Sequence, residues 1–442
     1  MKKISLKKLN PFNFFSIVKE RTLRFKKGSK KRLPKQYPIN ALAKKLHPKK
    51  QYAKIIAIFE YDNCKTFTFV PDFSRGTKEL AYFSAGQYIT VFLKIGELNV
   101  TRAYSLSSAP CESLNSKNRF ECDNYSEIKK YLKQFYKNPE AQEVWSNQKI
   151  PAEAFDSGFY QITVKSAPEG LVSNYILENW KVGMSVELSA PEGNFDYVDL
   201  RDAQTVVGIA GGSGITPFLS YAKAICSGDE NFNMILLYGS RDASSILFKK
   251  QFELLEKQTY KIKVVNILSN AQDHSDKNFE YGFVTADLIQ KYATKSSYSV
   301  FLCGPQSMYN FMEKELEKLN LPQKFIRREM FGEIHSAKSQ EGYPGTEKTE
   351  VSLKVTICDE TKTVQGNPDD TILQILEKNG IAVPSRCRSG ECGWCHTLLK
   401  SGQVFVPQKI DYRRKADLKY NFIHPCCTFA LSDCELDIPP AK

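Results

Sequence analysis

The sequence predicts a multidomain protein of mixed α and β structure, on three observations. Between residues 205 and 304, apolar strand patterns alternate with helix-like stretches, the mark of a doubly wound parallel sheet. From about residue 349 to the C-terminus, an alternating hairpin pattern and one capped helix precede a dense loop of cysteines. The length of 442 residues suffices for about three domains. With 42% hydrophobic and 25% charged residues the composition is that of an ordinary globular chain, and no run reaches the roughly eighteen apolar residues of a membrane span.

The net charge of +13 misleads as a clue to partners. Residues 1–50 hold 17 Lys and Arg against the single acid Glu20, a balance of +16, so the remainder carries 13 minus 16, or −3. A nucleic-acid role would rest on this extension alone, and none is expected.

In the middle region, "TVVGIAGGSGITPFLSYAKAIC" (205–226) begins as an apolar strand, turns through Gly211, Gly212 and Gly214, and enters a helix with Pro217 near its first turn. Such a turn lets backbone N–H groups face a pyrophosphate, although glycine-rich turns also serve only to redirect a chain. Further strands are predicted at 234–240, 262–269 and 298–304, with helical stretches such as "LFKKQFELLEK" between them.

Near the C-terminus, "CRSGECGWC" places Cys387, Cys392 and Cys395 at C-x4-C-x2-C, with the pair Cys426 and Cys427 farther on. This is the spacing of a plant-type 2Fe-2S site, with Gly390 and Gly393 allowing close backbone approach; zinc or free thiols are the competing readings. The segment resembles the plant-type ferredoxin family. In that alignment Cys426 is the fourth ligand, because Asp433 follows seven residues later and "CELDI" supplies a closing strand; Cys427 is the alternative. "VSLKVTICDETKTVQG" alternates like a hairpin, and "DDTILQILEKNG" reads as a helix with an Asp cap and a closing Gly. The resemblance implies a β-grasp ferredoxin domain over 349–442.

"GGSGITP" followed by "CGPQSM", with "TRAYSLSS" upstream, resembles the ferredoxin-NADP reductase superfamily. "FSAGQYITV" (83–91), "GLVSNYI" (170–176), "APEGNF" (190–195) and "REMFGE" (328–333) extend the likeness over roughly 50–442. The order of segments is that of reductases similar to phthalate dioxygenase reductase, the phenylacetyl-CoA epoxidase reductase and the hybrid-cluster-protein reductase. The implied fold is a basic N-terminal extension (1–50), an antiparallel β-barrel flavin domain (51–200, with an insertion at about 112–157), a doubly wound α/β nucleotide domain (201–334), a linker (335–348) and the β-grasp domain.

The resemblance also implies roles. Arg102 would hold a flavin phosphate, Tyr104 would contact the ribityl chain or ring, and Ser105 would bond near flavin N5. Gly170 and Ser173 would meet a pyrophosphate at a helix start, which favours FAD over the alternative FMN. Gly212, Gly214 and Thr216 would cradle the dinucleotide, while Cys303, Gly304 and Pro305 would lie beside the nicotinamide, Cys303 without a nucleophilic role. Phe331 would cover the flavin ring. Ser240 and Arg241 suit the 2′-phosphate of NADPH, whereas Asp242 suits the free ribose hydroxyl of NADH, and both donors stay open.

Two segments depart from the family pattern. Residues 112–157 read as a surface excursion carrying a short amphipathic helix, by default an inert insertion, with a partner-docking surface or a lid over the adenine as the alternatives. The N-terminal extension combines a short apolar stretch, broken by Pro11, with a basic run; no signal peptide is expected. It suits peripheral membrane contact, a solvated arm or docking to an acidic partner. The polar segment 335–348 has linker composition.

Together these expectations describe an NAD(P)H-dependent oxidoreductase passing electrons through FAD and a 2Fe-2S cluster to a soluble redox protein, such as an oxygenase, a hybrid-cluster protein or another iron-sulfur protein. The alternatives are a noncatalytic redox-sensing or assembly subunit and a membrane-surface quinone or ferredoxin reductase. A cytoplasmic location, with or without attachment to the inner membrane face, is expected from the cluster cysteines.

Overall fold

The computed structural model describes residues 11–27, 40, 42–43, 48–96, 98–144, 149–167, 170–270, 274–293, 297–330, 334 and 336–439. The chain divides into two compact units, Met1–Lys45 and Leu46–Lys442. In the first, a helix spans Pro11–Lys27, and Arg24, Lys26 and Lys27 crowd its last turn, where the helix dipole favours cations. No helix among the described residues is long and apolar enough to cross a membrane.

The second unit is built on three main sheets. Strands β1 (Gln51–Glu60), β2 (Cys64–Pro71), β3 (Tyr88–Ile95), β4 (Leu98–Ser105), β5 (Tyr160–Lys165) and β6 (Ser185–Leu188) form an antiparallel sheet in the order β4-β3-β6-β1-β2-β5. It curls into an open barrel, and its edges meet where Leu106 pairs with Ile162. Trp180 closes the interior, edge-on to Phe67 at 5.2 Å and Phe69 at 5.9 Å.

The second sheet contains β7 (Thr205–Gly211), β8 (Asn233–Ser240), β9 (Ile262–Leu268), β10 (Glu280–Tyr281), β11 (Tyr298–Cys303) and β12 (Ile326–Glu329), all parallel, in the order β10-β9-β8-β7-β11-β12. Strand order reverses between β7 and β11, so a crevice opens beyond their carboxyl ends. Both faces of β7 are covered: Val206 and Ala210 join one buried cluster and Val207 and Ile209 another, which explains the unbroken apolar run in the sequence.

The third sheet joins β13 (Val351–Ile357), β14 (Glu360–Gly366), β15 (Thr397–Ser401), β17 (Phe422–Ile423) and β19 (Cys434–Ile438) in the order β14-β13-β19-β15-β17; β16 (Val404–Phe405) pairs separately with β18 (Phe429–Ala430). The predicted hairpin turns through Cys358 and Asp359, both at positive φ, as a two-residue turn matched to strand twist requires. The helix Ile372–Lys378 is capped by Thr371 rather than by the expected Asp: Thr371 Oγ1 accepts from Gln374 N–H at 3.2 Å, while Asp370 is drawn to Lys378 at 2.6 Å.

The insertion corrects the expectation of an inert surface excursion. Its helix Tyr125–Leu132 and the turn Lys133–Lys137 bury Ile128, Tyr131 and Phe135 in one cluster with Phe218, Tyr221 and Ala222 of the helix Thr216–Ser227 and with Phe252 and Leu255. Glu112 at its start is fully buried and accepts from Tyr131 Oη at 2.5 Å, Tyr136 Oη at 2.7 Å and the Ala109 N–H at 2.8 Å. Lys223, also buried, reaches Glu112 at 3.4 Å and Gln161 of β5 at 3.1 Å. Burial lowers the Lys223 pKa, and Glu112 opposes that shift by favouring the cation. The insertion thus clamps the first sheet to the second.

The segment 336–348 differs from a bare tether. Ser336 Oγ and the Lys338 N–H both donate to Asp369, at 3.2 and 3.1 Å, Ala337 is buried, and Tyr343 stacks edge-on to Phe405 at 5.4 Å.

Candidate active site and metal centre

Strand β4 carries the R-x-Y-S residues on alternating faces. Ser105, buried, donates its hydroxyl to Glu329 at 3.1 Å. Glu329 ends β12 and is register partner to Cys303 of β11, so the second sheet closes over the β4 end. Burial pushes the Glu329 carboxyl well above the usual range, and the Ser105 hydroxyl opposes that shift. The Cys303 thiol is likewise pushed up, by burial and then by Glu329. The structure therefore brings Ser105 and Cys303 to one buried acid 224 residues from the former, the first Glu of "REMFGE". Phe331 lies outside the described residues.

Arg102 donates to the Thr101 carbonyl at 2.8 Å, and its charge opposes the burial that raises the Tyr104 hydroxyl. Gly170 stands at the N-cap of the helix Leu171–Asn179, whose start has no side-chain cap. Ser173 Oγ donates back to the Gly170 carbonyl at 3.3 Å, and a Cβ on Gly170 would lie 2.4 Å from that oxygen. A guanidinium and a helix N-terminus without a side-chain cap are each the kind of donor that suits phosphate oxygens, and these residue types fit a flavin dinucleotide.

Beyond β7, Gly212 adopts φ +54, which favours glycine, and a Cβ on Gly214 would lie 2.2 Å from the Cys303 carbonyl oxygen. Thr216 donates to the Ser213 carbonyl at 3.1 Å. A cleft of about 920 Å³ opens here, with Gly212, Ser240, Arg241 and Pro305 among its walls. Gly214, Thr216, Cys303 and Gly304 support that wall from behind; Gly304 packs so closely that a Cβ would lie 2.2 Å from Met308 Cε. Ser240 is buried, and its position in the wall of the cleft fits a ligand's polar group. The Asp242 carboxylate is already used by Ser244 Oγ at 2.7 Å and the Ser245 N–H at 2.9 Å, which hold it below the usual carboxylate range.

At the cysteine loop the sulfurs stand in two pairs. The Cys392 and Ser389 N–H groups donate to Cys387 Sγ at 3.3 and 3.5 Å, and Cys395 Sγ lies 3.3 Å from Cys426 Sγ. The neighbouring Cys427 thiol donates to the His424 carbonyl at 3.4 Å, and its sulfur is the atom nearest to a Cβ built on Gly390, at 2.8 Å. Among the described residues no three candidate ligands converge on a single ion. Two pairs suit two irons instead, and backbone N–H groups aimed at sulfur suit thiolates, so these residues fit a 2Fe-2S cluster. Arg388, buried at φ +61, ties the loop to Glu377 by two 2.7 Å bonds, and His424 Nδ1 holds the Gly390 carbonyl at 2.7 Å.

The cysteine loop rests on the first sheet. Thr101 Oγ1 bonds Ser385 Oγ at 2.8 Å, and Arg386 pairs with Glu192 while stacking on Trp394 at 3.5 Å. Tyr88 of β3 lies between the two centres: burial first, then the charges of Cys392, Cys387 and Glu329, push its hydroxyl up.

Three family models match separate parts of the chain. The oxidoreductase FAD-binding domain covers 127–197, the oxidoreductase NAD-binding domain 209–314 and the 2Fe-2S iron-sulfur cluster binding domain 355–431. Among relatives, the ferredoxin reductase component of 3-ketosteroid-9-alpha-monooxygenase from Mycolicibacterium smegmatis is 29% identical over 281 residues, covering 62% of this chain and 75% of the relative. The glycine betaine monooxygenase reductase subunit of Pseudomonas aeruginosa is 22% identical over 383 residues, covering 84% of this chain and 91% of the relative. The solved structure of phthalate dioxygenase reductase, at 22% identity, has the same fold, with a TM-score of 0.54 over 88% of this chain and 98% of that one. Fold and site together define an NAD(P)H-dependent flavin and iron-sulfur oxidoreductase that transfers electrons. The three matched domains, in the order FAD-binding, NAD-binding and 2Fe-2S, give the chain the architecture of a ferredoxin-NADP reductase-like reductase with a C-terminal 2Fe-2S domain.

Proposed function

We propose that this chain is the reductase component of an oxygenase system, taking electrons from NAD(P)H at the β7–β11 crevice and releasing them singly at the Cys387–Cys426 cluster to a separate partner protein. The observation that carries this reading is the Ser105–Glu329 bond joining the first two sheets, with the cysteine loop seated on the same sheet beside Tyr88. Bound flavin supplies the conversion between hydride chemistry and one-electron transfer, and the cluster carries the single electron.

In this reading Arg102, Tyr104, Gly170 and Ser173 hold FAD, with FMN the less well matched group. Gly212, Gly214, Thr216, Ser240, Arg241, Gly304 and Pro305 hold the dinucleotide. Cys303 packs behind the nicotinamide as a small apolar wall rather than a nucleophile. Ser105 presents its hydroxyl at the reacting ring, and Glu329, whose carboxyl is pushed up by burial, keeps that hydroxyl oriented. Cys387, Cys392, Cys395 and Cys426 ligate iron. The occupied Asp242 leaves Ser240 and Arg241 to face the adenosine end, an arrangement that favours NADPH over NADH. For the N-terminal extension, the exposed basic last turn of Pro11–Lys27 supports peripheral attraction to an anionic surface.

Anaerobic stopped-flow mixing with NADH and with NADPH tests the scheme. Flavin bleaching is expected first, then loss of the cluster bands. Cys392→Ser should leave flavin reduction within about twofold of wild type and abolish cluster-dependent electron exit; equal loss of both steps contradicts the scheme.

A further inference from the structure

We infer that the surface around the helix Lys415–Lys419 is the docking face for an acidic electron-accepting protein. This rests on the proposed exit of electrons through the Cys387–Cys426 cluster, and deepens it by naming the partner's chemistry. A cleft of about 380 Å³ reaches Cys392 from solvent, with Trp394, Tyr412 and Arg414 among its walls. Trp394, Tyr412, Leu418 and Tyr420 are 38, 43, 51 and 59% exposed, although aromatic and aliphatic side chains of this size are usually covered. A cluster edge reached through such a cleft is where a partner must come close.

Charge decides which partner fits. Arg414, Lys415 and Lys419 are exposed on or beside this helix and form no ion pair with another described residue. The acids of the same segment are used internally: Asp417 turns inward to His396 Nε2 at 2.9 Å and the Arg414 N–H at 2.9 Å, and Asp411 is bound by Arg413 at 2.7 and 2.6 Å. Glu391 is the acid left on the rim of the cleft. The cations are not background, because residues 51–442 carry a net charge of −3. The His396–Asp417 bond also fixes the basic helix to the residue next to Cys395, so the charge sits beside the metal centre. A partner with an acidic rim around an apolar centre is complementary; a basic partner is repelled.

The test uses the full-length holoenzyme, loaded with flavin and cluster, and three acceptors: an acidic cytochrome b5, a basic cytochrome c and ferricyanide. In the triple variant Arg414→Glu, Lys415→Glu, Lys419→Glu, kcat/KM for cytochrome b5 should fall about tenfold at low ionic strength and lose its salt dependence. Cytochrome c reduction should hold or rise, the cluster's visible spectrum should stay unchanged, and ferricyanide, a small trianion with no extended docking surface, should lose much less than cytochrome b5. The milder pair Lys415→Gln, Lys419→Gln should give an intermediate loss, which guards against a folding defect in the triple variant. The inference is overturned if cytochrome b5 reduction falls no more than ferricyanide reduction. If Cys392→Ser still reduces cytochrome b5 at the wild-type rate, electrons leave elsewhere, and the exit scheme fails together with this inference.

Discussion

Two seams of the second unit are held in different ways. Between the first and second sheets, charge is buried: Glu112 and Lys223 meet with side-chain exposures of 0 and 1%, and Arg327 of β12 donates to the Asn194 carbonyl at 2.9 Å. Phe195 fills the same seam, 6.0 Å from Phe218 and 5.3 Å from Phe301. Between the first sheet and the cysteine loop, the contacts are polar and closer to solvent: Thr101 with Ser385, and Arg386 with Glu192 at 12 and 24% exposure. The difference matches what each seam must do. Hydride transfer requires atoms in near contact, so the seam that carries Ser105 and Glu329 is sealed. Passing a single electron tolerates a lighter docking, which leaves the cluster domain accessible to a partner.

The largest effect is expected at the clamp. Lys223→Ala would leave Glu112 buried without its cation, and unfolding in urea should show a loss of about 3–5 kcal/mol. A loss below about 1 kcal/mol would mean that aromatic packing alone seals the seam. At the lighter seam, Arg386→Ala should cost about 1 kcal/mol or less in the same experiment. Its effect belongs in electron transfer: a change of that size shifts docking about fivefold, so cluster reduction should lag flavin reduction by about that factor while flavin bleaching keeps its rate.

The smallest effect sharpens the sealed seam through pH. Burial, then Asp229, Asp199 and Asp196, push the Glu230 carboxyl up to about 8. Its folded pKa lies above the unfolded one, so the fold favours the neutral acid. That contribution is complete below the unfolded value and is lost as pH rises through about 8. The melting temperature should therefore decline by a few degrees between pH 6 and 9, and Glu230→Gln should flatten the decline.

Much of the molecule was legible from neighbours in sequence. The four central strands β7, β8, β9 and β11 fall within a residue or two of their predicted places, because a doubly covered parallel strand writes an unbroken apolar run, whereas the edge strands β10 and β12 were not foreseen. The hairpin β13–β14 and the strand β19 were equally plain. The Asp cap failed since two adjacent residues could both cap, and the choice fell to Asp370's competing attraction to Lys378. The insertion was misjudged because Ile128, Tyr131 and Phe135 have the spacing of any amphipathic helix, and that spacing does not say whether the covering surface is solvent-facing or another domain.

By itself, then, the sequence determined those features whose partners lie within one turn or one loop: the glycine turn at Gly212, and the spacing of Cys387, Cys392 and Cys395. Only the tertiary structure decided which distant groups meet, including Ser105 with Glu329 and Glu112 with Lys223 across 111 residues. The physical reason is that local backbone geometry is encoded by adjacent residues, whereas a buried polar atom finds its partner only after the sheets have packed and water has left.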